Sequence, residues 1–154
     1  MKNLFFHSTK IGKVGIVDNG ECITELYFAK DRDENSLGTK ETPLQKEAKK
    51  QLEEYFKGSR KDFNLPLDPK GTQFQKNVWK ALETIPYGQT WSYKQVAEAV
   101  DSPKAYRAVG MANNRNPISI VIPCHRVIGA NGKLVGYGGG LEIKRYLLDL
   151  EKEA

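Results

Sequence analysis

Hydrophobic residues in the first part of the chain fall in short runs with the alternation of β-strands. Three such segments are Leu4–Phe6, Gly12–Val17 and Cys22–Phe28. Asp18-Asn19-Gly20, between the last two, is a typical hairpin turn. The pattern predicts an antiparallel meander, in which Cys22 begins the third strand as a structural residue.

A helical pattern follows the meander. Thr42 is suited to the N-cap, Pro43 to the first helical position, Gln45 to closing a capping box, and Gly58 lies past the end. The spacing predicts a helix that packs on the meander through Leu44, Ala48, Leu52, Tyr55 and Phe56. Together these segments predict a small α+β domain.

Two prolines and a glycine in Asn64–Gly71 predict a linker, which divides the chain into domains 1–70 and 71–154. Beyond it, Thr72 and Gln75 form a second capping-box pattern. We expect one helix with an apolar face of Phe74, Val78, Ala81, Leu82 and Ile85. The second domain is predicted to be mainly helical.

Two short helices, Ser92–Val100 and Pro103 to about Asn113, are spaced as a helix-turn-helix. The second combines Lys104, Tyr106 and Arg107 with the small residues Ala105, Ala108, Gly110 and Ala112. Small residues let a helix approach another surface closely, and Arg and Lys bind phosphates or bases. Helix pairs that only pack are common, but this composition favours nucleic-acid binding.

The most unusual stretch is Ile120–Gly129, where Cys124, His125 and Arg126 interrupt an apolar run. The run predicts a buried strand, and Pro123 should end its pairing just before Cys124. Cationic neighbours lower the pKa of a thiol and make it a nucleophile, whereas free cysteines are often inert core residues. On these residues alone, both interpretations of Cys124 stay open.

Asn131-Gly132 then predicts a hairpin turn, and the glycine-rich stretch Gly136–Gly140 opens a last helix. Its spacing matches neither phosphate-binding fingerprint, so we expect a close approach of its backbone to a ligand or a neighbouring strand.

Composition narrows the class of protein. The chain has 154 residues and a net charge of +5; residues 71–154 carry most of the excess, which suits a phosphate-rich partner. No segment resembles a signal peptide or a membrane span, so we expect a cytoplasmic, nucleoid-associated protein. The only Cys and His residues, His7, Cys22, Cys124 and His125, lack the spacing of a zinc site, so no metal is expected.

Three segments together resemble the O6-alkylguanine-DNA alkyltransferases, also called methylated-DNA protein-cysteine methyltransferases. They are Arg107-Ala108-Val109-Gly110 with Asn116-Pro117, then Pro123–Val127, then Gly136–Leu141. The resemblance is detailed from Gly71 to Glu151. It implies a ribonuclease H-like N-terminal domain, a winged-helix-like C-terminal domain, and repair without a cofactor.

The resemblance also implies the roles of single residues. Cys124 would accept the alkyl group from the guanine oxygen, irreversibly and once. His125 would take the thiol proton of Cys124 through a water. Glu151 would orient His125, with Asn116 in the same network. Tyr93 would donate a hydrogen bond to the purine, and the pocket would be lined by Cys124, Tyr93, Val127, Tyr137 and Gly138. Whether O4-alkylthymine is also a substrate stays open.

For DNA, the resemblance implies a monomer that binds the minor groove of a duplex and rotates the damaged nucleotide out of the stack. Arg107 would fill the vacated place. The other candidate DNA contacts are Lys104, Tyr106, Ala108, Arg115 and Arg126. The alternatives are a non-enzymatic damage-binding module of the alkyltransferase-like type, against which Cys124 argues, and a cysteine hydrolase.

Overall fold

The chain folds into two compact units, Met1–Pro69 and Lys70–Ala154. A computed structural model describes residues 2–31, 41–137 and 139–152. The first unit is built on an antiparallel sheet and the second is mainly helical, which confirms the predicted fold class. No helix in these described ranges has the length and apolar character needed to cross a membrane.

The first unit contains a three-stranded meander. Its strands are β1 (Asn3–Thr9), β2 (Gly12–Asp18) and β3 (Ile23–Phe28), paired in chain order, and a short 3₁₀ turn, Ala29–Asp31, follows. Alternating side chains face opposite sides of a sheet, so one face of this meander can be buried under a helix. That helix is α1 (Pro43–Phe56), whose Ala48, Leu52, Tyr55 and Phe56 are buried.

The start of α1 differs from a closed capping box. Thr42 accepts a hydrogen bond from the backbone N–H of Gln45, as predicted. The Gln45 side chain, however, donates to Ile16 O at 2.9 Å and to Asp18 Oδ2 at 2.8 Å, and its Oε1 lies 2.9 Å from His7 Nε2. Gln45 therefore joins the helix to the sheet instead of closing the cap.

Part of the predicted linker belongs to the first unit. The N–H of Ile23 donates to Pro66 O and the N–H of Asp68 donates to Ile23 O, both at 2.8 Å, which bridges Leu67 to the start of β3. These hydrogen bonds hold the segment alongside the sheet and satisfy its backbone groups there.

The second unit contains four helices and two very short strands among its described residues. In order they are α2 (Gln73–Leu82), β4 (Trp91–Ser92), α3 (Tyr93–Ala99), α4 (Tyr106–Asn114), β5 (Val127–Ile128) and α5 (Leu141–Lys152). A capping box forms at Thr72 with Gln75, as predicted, and another forms at Ser92 with Gln95. The helix α4 begins later than predicted, because Pro103 lies in the preceding turn, which a bond from Ala105 N–H to Ser102 O closes.

The turn that ends α3 has an unusual residue at its left-handed position. Asp101 has φ +57°, its N–H donates to Glu98 O, and the N–H of Ser102 donates to Ala97 O. The end of α1 is built the same way, with Gly58 at φ +81°. This double hydrogen bond is the Schellman motif, in which glycine is the usual residue.

The apolar run before Cys124 is not a strand, so that prediction was wrong. The N–H of Val121 donates to Ser119 O, the N–H of Ile122 donates to Ile118 O, and Ile120 has φ +72°. Burial of a short apolar run does not by itself distinguish a strand from a compact turn. The turn at Asn131-Gly132 forms, with Gly132 N–H donating to Gly129 O, but no strand follows it among the described residues.

A two-residue parallel ladder connects distant parts of the second unit. Trp91 pairs with Val127 and Ser92 with Ile128. Tyr93 follows β4 directly, and the turn Cys124–Arg126 precedes β5 directly. The ladder therefore brings Tyr93 and Cys124 into one neighbourhood.

Candidate active site

Cys124 starts a 3₁₀ turn in the core of the second unit. The turn spans Cys124–Arg126, and the cysteine is 4% exposed. Its N–H donates to Ile122 O at 2.8 Å, and its carbonyl accepts from Asn113 Nδ2 at 3.5 Å. The thiol is thus held at the start of a tight turn and not at the end of a strand, as the sequence had suggested.

Burial keeps this thiol protonated. It raises the pKa of Cys124 to about 11, although a hydrogen bond with Asn116 and the positive charge of Lys144 act in the opposite direction. A thiol in this state needs a base to become a thiolate, the reactive form.

A buried cluster of charged groups lies next to the cysteine in the chain. His125 Nε2 is 2.7 Å from Glu151 Oε2, and both residues are almost completely buried. An ionised carboxylate only accepts hydrogen bonds, so Nε2 carries the proton of the neutral imidazole. The other ring nitrogen, Nδ1, is buried and makes no hydrogen bond within the described residues. Nδ1 therefore carries the free lone pair that can accept a proton.

The pKa values of this pair support that assignment. Burial lowers the pKa of His125, against the opposing effect of Glu151, so the ring is neutral near pH 7. Burial would raise the pKa of Glu151, but the hydrogen bonds and positive charge of His125 and Arg126 outweigh it and lower that pKa to about 2. Glu151 is therefore ionised at every pH at which the protein is expected to work.

Arg126 lies in the core and not on the surface, so its prediction as a DNA contact was wrong. Its side chain is buried; Nε donates to Glu151 Oε1 at 2.8 Å, Nη2 to Glu151 Oε2 at 3.1 Å and Nη1 to Ile85 O at 2.8 Å. This two-pronged contact holds the carboxylate that faces His125. The sequence shows the charge of Arg126 but not its partner, which is 25 positions away.

Asn116 lies in the thiol's surroundings rather than in the His125–Glu151 pair. Its Nδ2 donates to Ile122 O at 2.7 Å, its Oδ1 accepts from Ile118 N–H at 3.0 Å, and it also bonds the Cys124 side chain. Its hydrogen bond with the thiol links it to the nucleophile, and its part in the network of His125 and Glu151 stays a prediction. Asn116 fixes the loop that leads to the cysteine.

The predicted pocket residues converge on Cys124 in part. The Tyr93 hydroxyl donates to Val135 O at 3.4 Å, and burial together with the nearby Cys124 raises the pKa of Tyr93. Tyr93 is therefore a protonated donor at neutral pH. Val127 is fully buried, Tyr137 is partly buried, and Gly138 lies outside the described residues.

Lys144 is a site residue that the sequence reasoning missed. It is completely buried on α5, and its Nζ donates to Val127 O at 2.6 Å, Val135 O at 2.7 Å and Gly136 O at 3.5 Å. Burial lowers the pKa of Lys144 to about 8. The signal in the sequence is a lysine on the same helix face as Leu147 and Glu151, both of which are buried.

The outer surface of α4 carries the other candidates. Lys104, just before the helix, and Arg107, Ala108 and Arg115 are exposed. Tyr106 and Met111, whose orientation the sequence left undecided, are 49% and 59% exposed. The inner face is buried through Val109, Ala112 and Asn113.

No three His, Cys, Asp or Glu side chains in the described parts of the chain are grouped as metal ligands. What the site offers chemically is a buried thiol, a neutral imidazole held by a carboxylate, and a phenol.

Comparisons with known proteins agree over the whole chain. Residues 73–153 match the model of the 6-O-methylguanine DNA methyltransferase DNA-binding domain, and residues 5–69 match that of the same family's ribonuclease-like domain. A methylated-DNA–protein-cysteine methyltransferase of Methanosarcina barkeri is 50% identical over 145 residues, covering 92% of each chain. The constitutive enzyme of that name from Bacillus subtilis is 52% identical over 151 residues, covering 94% of this chain and 92% of that protein.

Solved structures give the same result. The Mycobacterium tuberculosis O6-methylguanine methyltransferase has a TM-score of 0.92 at 44% identity, with 99% of this chain and 94% of that chain covered. The M. tuberculosis OGT structure in complex with DNA has a TM-score of 0.91 at 45% identity, with 98% and 93% covered. With both domains matched in order, the chain belongs to the 6-O-methylguanine DNA methyltransferase family.

Proposed function

We propose that this protein repairs DNA by direct reversal, transferring a methyl or other alkyl group from O6 of guanine to its own Cys124. The observation that carries this proposal is the buried Cys124 beside His125, whose Nε2 is held by Glu151 and whose Nδ1 has no hydrogen-bond partner among the described residues. A thioether is stable, so each molecule reacts once and the protein is a stoichiometric methyltransferase.

The proton of the thiol goes to His125. Nδ1 takes it through one water molecule, because neighbours in the chain rarely orient their side chains directly at each other. The imidazolium that results is stabilised by the ionised Glu151, which Arg126 holds in place. The thiolate sulfur then forms a bond to the alkyl carbon as the bond from that carbon to O6 breaks.

The electron pair of the broken bond stays on the guanine. Tyr93, protonated because its pKa is raised, donates a hydrogen bond to a ring nitrogen of the purine and spreads the developing charge. The stretch Tyr137-Gly138 is assigned to the alkyl pocket on the family resemblance. Lys144, which binds the carbonyls of Val127, Val135 and Gly136, fixes the described part of that loop.

The DNA partner binds through α4. A base inside a duplex cannot reach a buried sulfur, so the nucleotide must rotate out of the stack. We assign Arg107 to the vacated place, and Lys104, Tyr106, Ala108 and Arg115 to contacts along the minor groove. We further propose that domain 71–154 carries out binding and transfer with domain 1–70 as structural support, and that the protein acts as a monomer in the cytoplasm, on nucleoid DNA.

An experiment that follows Cys124 tests the reaction. Wild-type protein is incubated with a duplex containing O6-methylguanine, and its intact mass is measured. We expect one added methyl group, at Cys124, with unmethylated guanine left in the DNA and no further reaction with fresh substrate. Cys124→Ser should bind the duplex and gain no mass.

Other outcomes favour the rival functions. Wild-type protein that binds the lesion but stays unmodified would indicate a damage-binding module. Repeated turnover of an acyl substrate would indicate a cysteine hydrolase.

A further inference from the structure

The exposed face of α4, together with the residue that caps its C-terminus, contains three long side chains four positions apart in the chain. Arg107, Met111 and Arg115 are spaced at i, i+4 and i+8, and all three are exposed. Residues four apart on a helix lie about 5–6 Å apart at Cβ. A methionine is therefore framed by two guanidinium groups, neither of which has a hydrogen bond or ion pair with any residue in the described ranges.

Met111 is unusual in this place. It is 59% exposed, the largest exposed fraction among the described large hydrophobic side chains. A methionine thioether carries no positive charge, so Met111 cannot contribute to phosphate binding on this face. Its flexible, apolar side chain suits irregular apolar surfaces instead.

The neighbouring side of α4, which carries Gly110 and Asn114, faces the active site. A Cβ added to Gly110 would lie 3.8 Å from the Tyr93 ring, and one added to Gly136 would lie 2.7 Å from Asn114 Oδ1. Gly110 and Asn114 thus place one side of α4 against Tyr93 and the Val135–Gly136 loop. Met111, next to Gly110 in the helix, lies at the border between this side and the open surface.

We propose that Met111 is a second wedge in the duplex, a positioning residue that acts with Arg107 to keep the damaged nucleotide out of the stack. This inference rests on the proposed function. With Arg107 and Arg115 at the phosphates and bases on either side, the methionine between them meets sugar carbons and base edges on the floor of the minor groove. Proteins that kink DNA from this groove insert apolar side chains, methionine among them, between base steps.

If Met111 acts as a wedge, its loss should affect reaction with duplex DNA and not reaction with the free alkylated base. Met111 offsets part of the cost of unstacking, a cost that a free alkylated base does not have. Met111→Ala should therefore slow methyl transfer to Cys124 about tenfold in duplex DNA and leave the rate with free O6-methylguanine unchanged. Met111→Leu, which keeps the apolar volume, should remain close to wild type in both.

The salt dependence separates a wedge from a phosphate contact. Met111→Ala should leave the slope of log binding constant against log salt concentration unchanged, whereas loss of a phosphate-binding cation lowers that slope by about 1. A fluorescent base analogue beside the lesion, bright when unstacked, should brighten less with Met111→Ala than with wild type. Tyr146→Ala, which truncates a 39% exposed side chain on α5, is the matched control and should match wild type.

The results discriminate between the two proposals. Equal slowing with duplex and free base, or no slowing with either, overturns the role of Met111, provided that wild type methylates Cys124 and Arg107→Ala shows loss restricted to the duplex. If wild-type Cys124 gains no methyl group from either substrate, the proposed function itself fails. Since Met111 is exposed, circular dichroism should show both Met111 variants folded.

Discussion

Glu151 is the residue on which the electrostatics of the site depend. Its two carboxylate oxygens accept from Arg126, and one of them also faces His125. Because the carboxylate stays ionised, the proton of the neutral imidazole stays on Nε2 and Nδ1 stays available as the base. Arg126 therefore influences the thiol without touching it, by holding the group that orients the base.

Replacing Glu151 should change stability in a pH-dependent way. Glu151→Gln leaves the buried charge of Arg126 without its partner, so we expect a loss of about 3–5 kcal/mol in the free energy of unfolding at pH 7. The carboxyl's pKa is about 2 in the folded protein, below its ordinary value of 4.5. Its stabilisation is thus present above about 4.5 and is lost as pH falls through 2.

Urea unfolding at pH 7, 5 and 3 measures this. The difference between wild type and Glu151→Gln should shrink towards acid pH. Glu142→Gln, on the exposed side of the same helix, should give a curve that parallels wild type. A constant difference for Glu151→Gln across this range would contradict the ionised, ion-paired state of Glu151.

At the scale of single residues, the sequence indicated which residues to examine better than it indicated which groups surround them. Cys124 and His125 were named as candidates because they are adjacent in an unusual stretch, and Glu151 through the family resemblance; the structure places Glu151 against His125. Arg126 was assigned to the surface and Lys144 was missed, because the partners of a buried charge are set by tertiary contacts and leave no local pattern. Nothing in the sequence near Lys144 specifies the carbonyls of Val127 and Val135 that it binds.

At the scale of elements, the two Schellman turns offer a comparison within one molecule. Gly58 and Asp101 hold equivalent positions, both with positive φ, after α1 and α3. A non-glycine residue in the left-handed region strains the backbone by about 1–2 kcal/mol. Glycine avoids this strain but loses more conformational entropy on folding, so the net difference between the two is smaller. Asp101, although one of the better-tolerated residues there, leaves α3 with a strained end.

Opposite substitutions should therefore have opposite effects. We expect Asp101→Gly to raise the free energy of unfolding by about 0.5 kcal/mol and Gly58→Ala to lower it by about 1 kcal/mol. Thermal unfolding by calorimetry should show Tm shifts of about 1–2 °C upward and 2–4 °C downward. A downward shift for Asp101→Gly would mean that its side chain stabilises the turn by more than the strain costs.

Local signals located the helices of this chain and failed at its irregular segment. Thr72 and Ser92 form their capping boxes because the partners lie three residues away, within reach of pattern reasoning. The run before Cys124 looks like a strand because its residues are β-branched and apolar, but Ile120 at φ +72° turns the chain. That turn follows from packing around the cysteine, which no local pattern records.

At the scale of the whole molecule, charge is distributed unevenly. Residues 1–70 carry 13 Lys and Arg against 12 Asp and Glu, and residues 71–154 carry 11 against 7, which sums to the net charge of +5. Residues 71–154, which include α4, thus hold four of the five excess charges. Affinity for DNA should accordingly depend on phosphate contacts and vary little with sequence.

Removing single lysines tests this distribution. Lys104→Ala should lower the slope of log binding constant against log salt concentration by about 1, on any duplex sequence. Lys49→Ala removes an exposed charge from α1 in the first unit and should leave the slope unchanged. Equal changes for both variants, measured by fluorescence anisotropy across a salt series, would contradict the assignment of the DNA-binding surface to the second unit.

The parallel ladder of β4 and β5 has a consequence for how such a protein can evolve. The strands β4 and β5 are paired, and the segment between them contains α3, α4 and the loop up to Arg126. The two residue pairs of the ladder hold Tyr93, which follows β4, near Cys124, which begins the turn before β5. If α4 binds the duplex as proposed, substitutions on its outer surface can therefore alter DNA binding while the chemistry of the site is inherited unchanged.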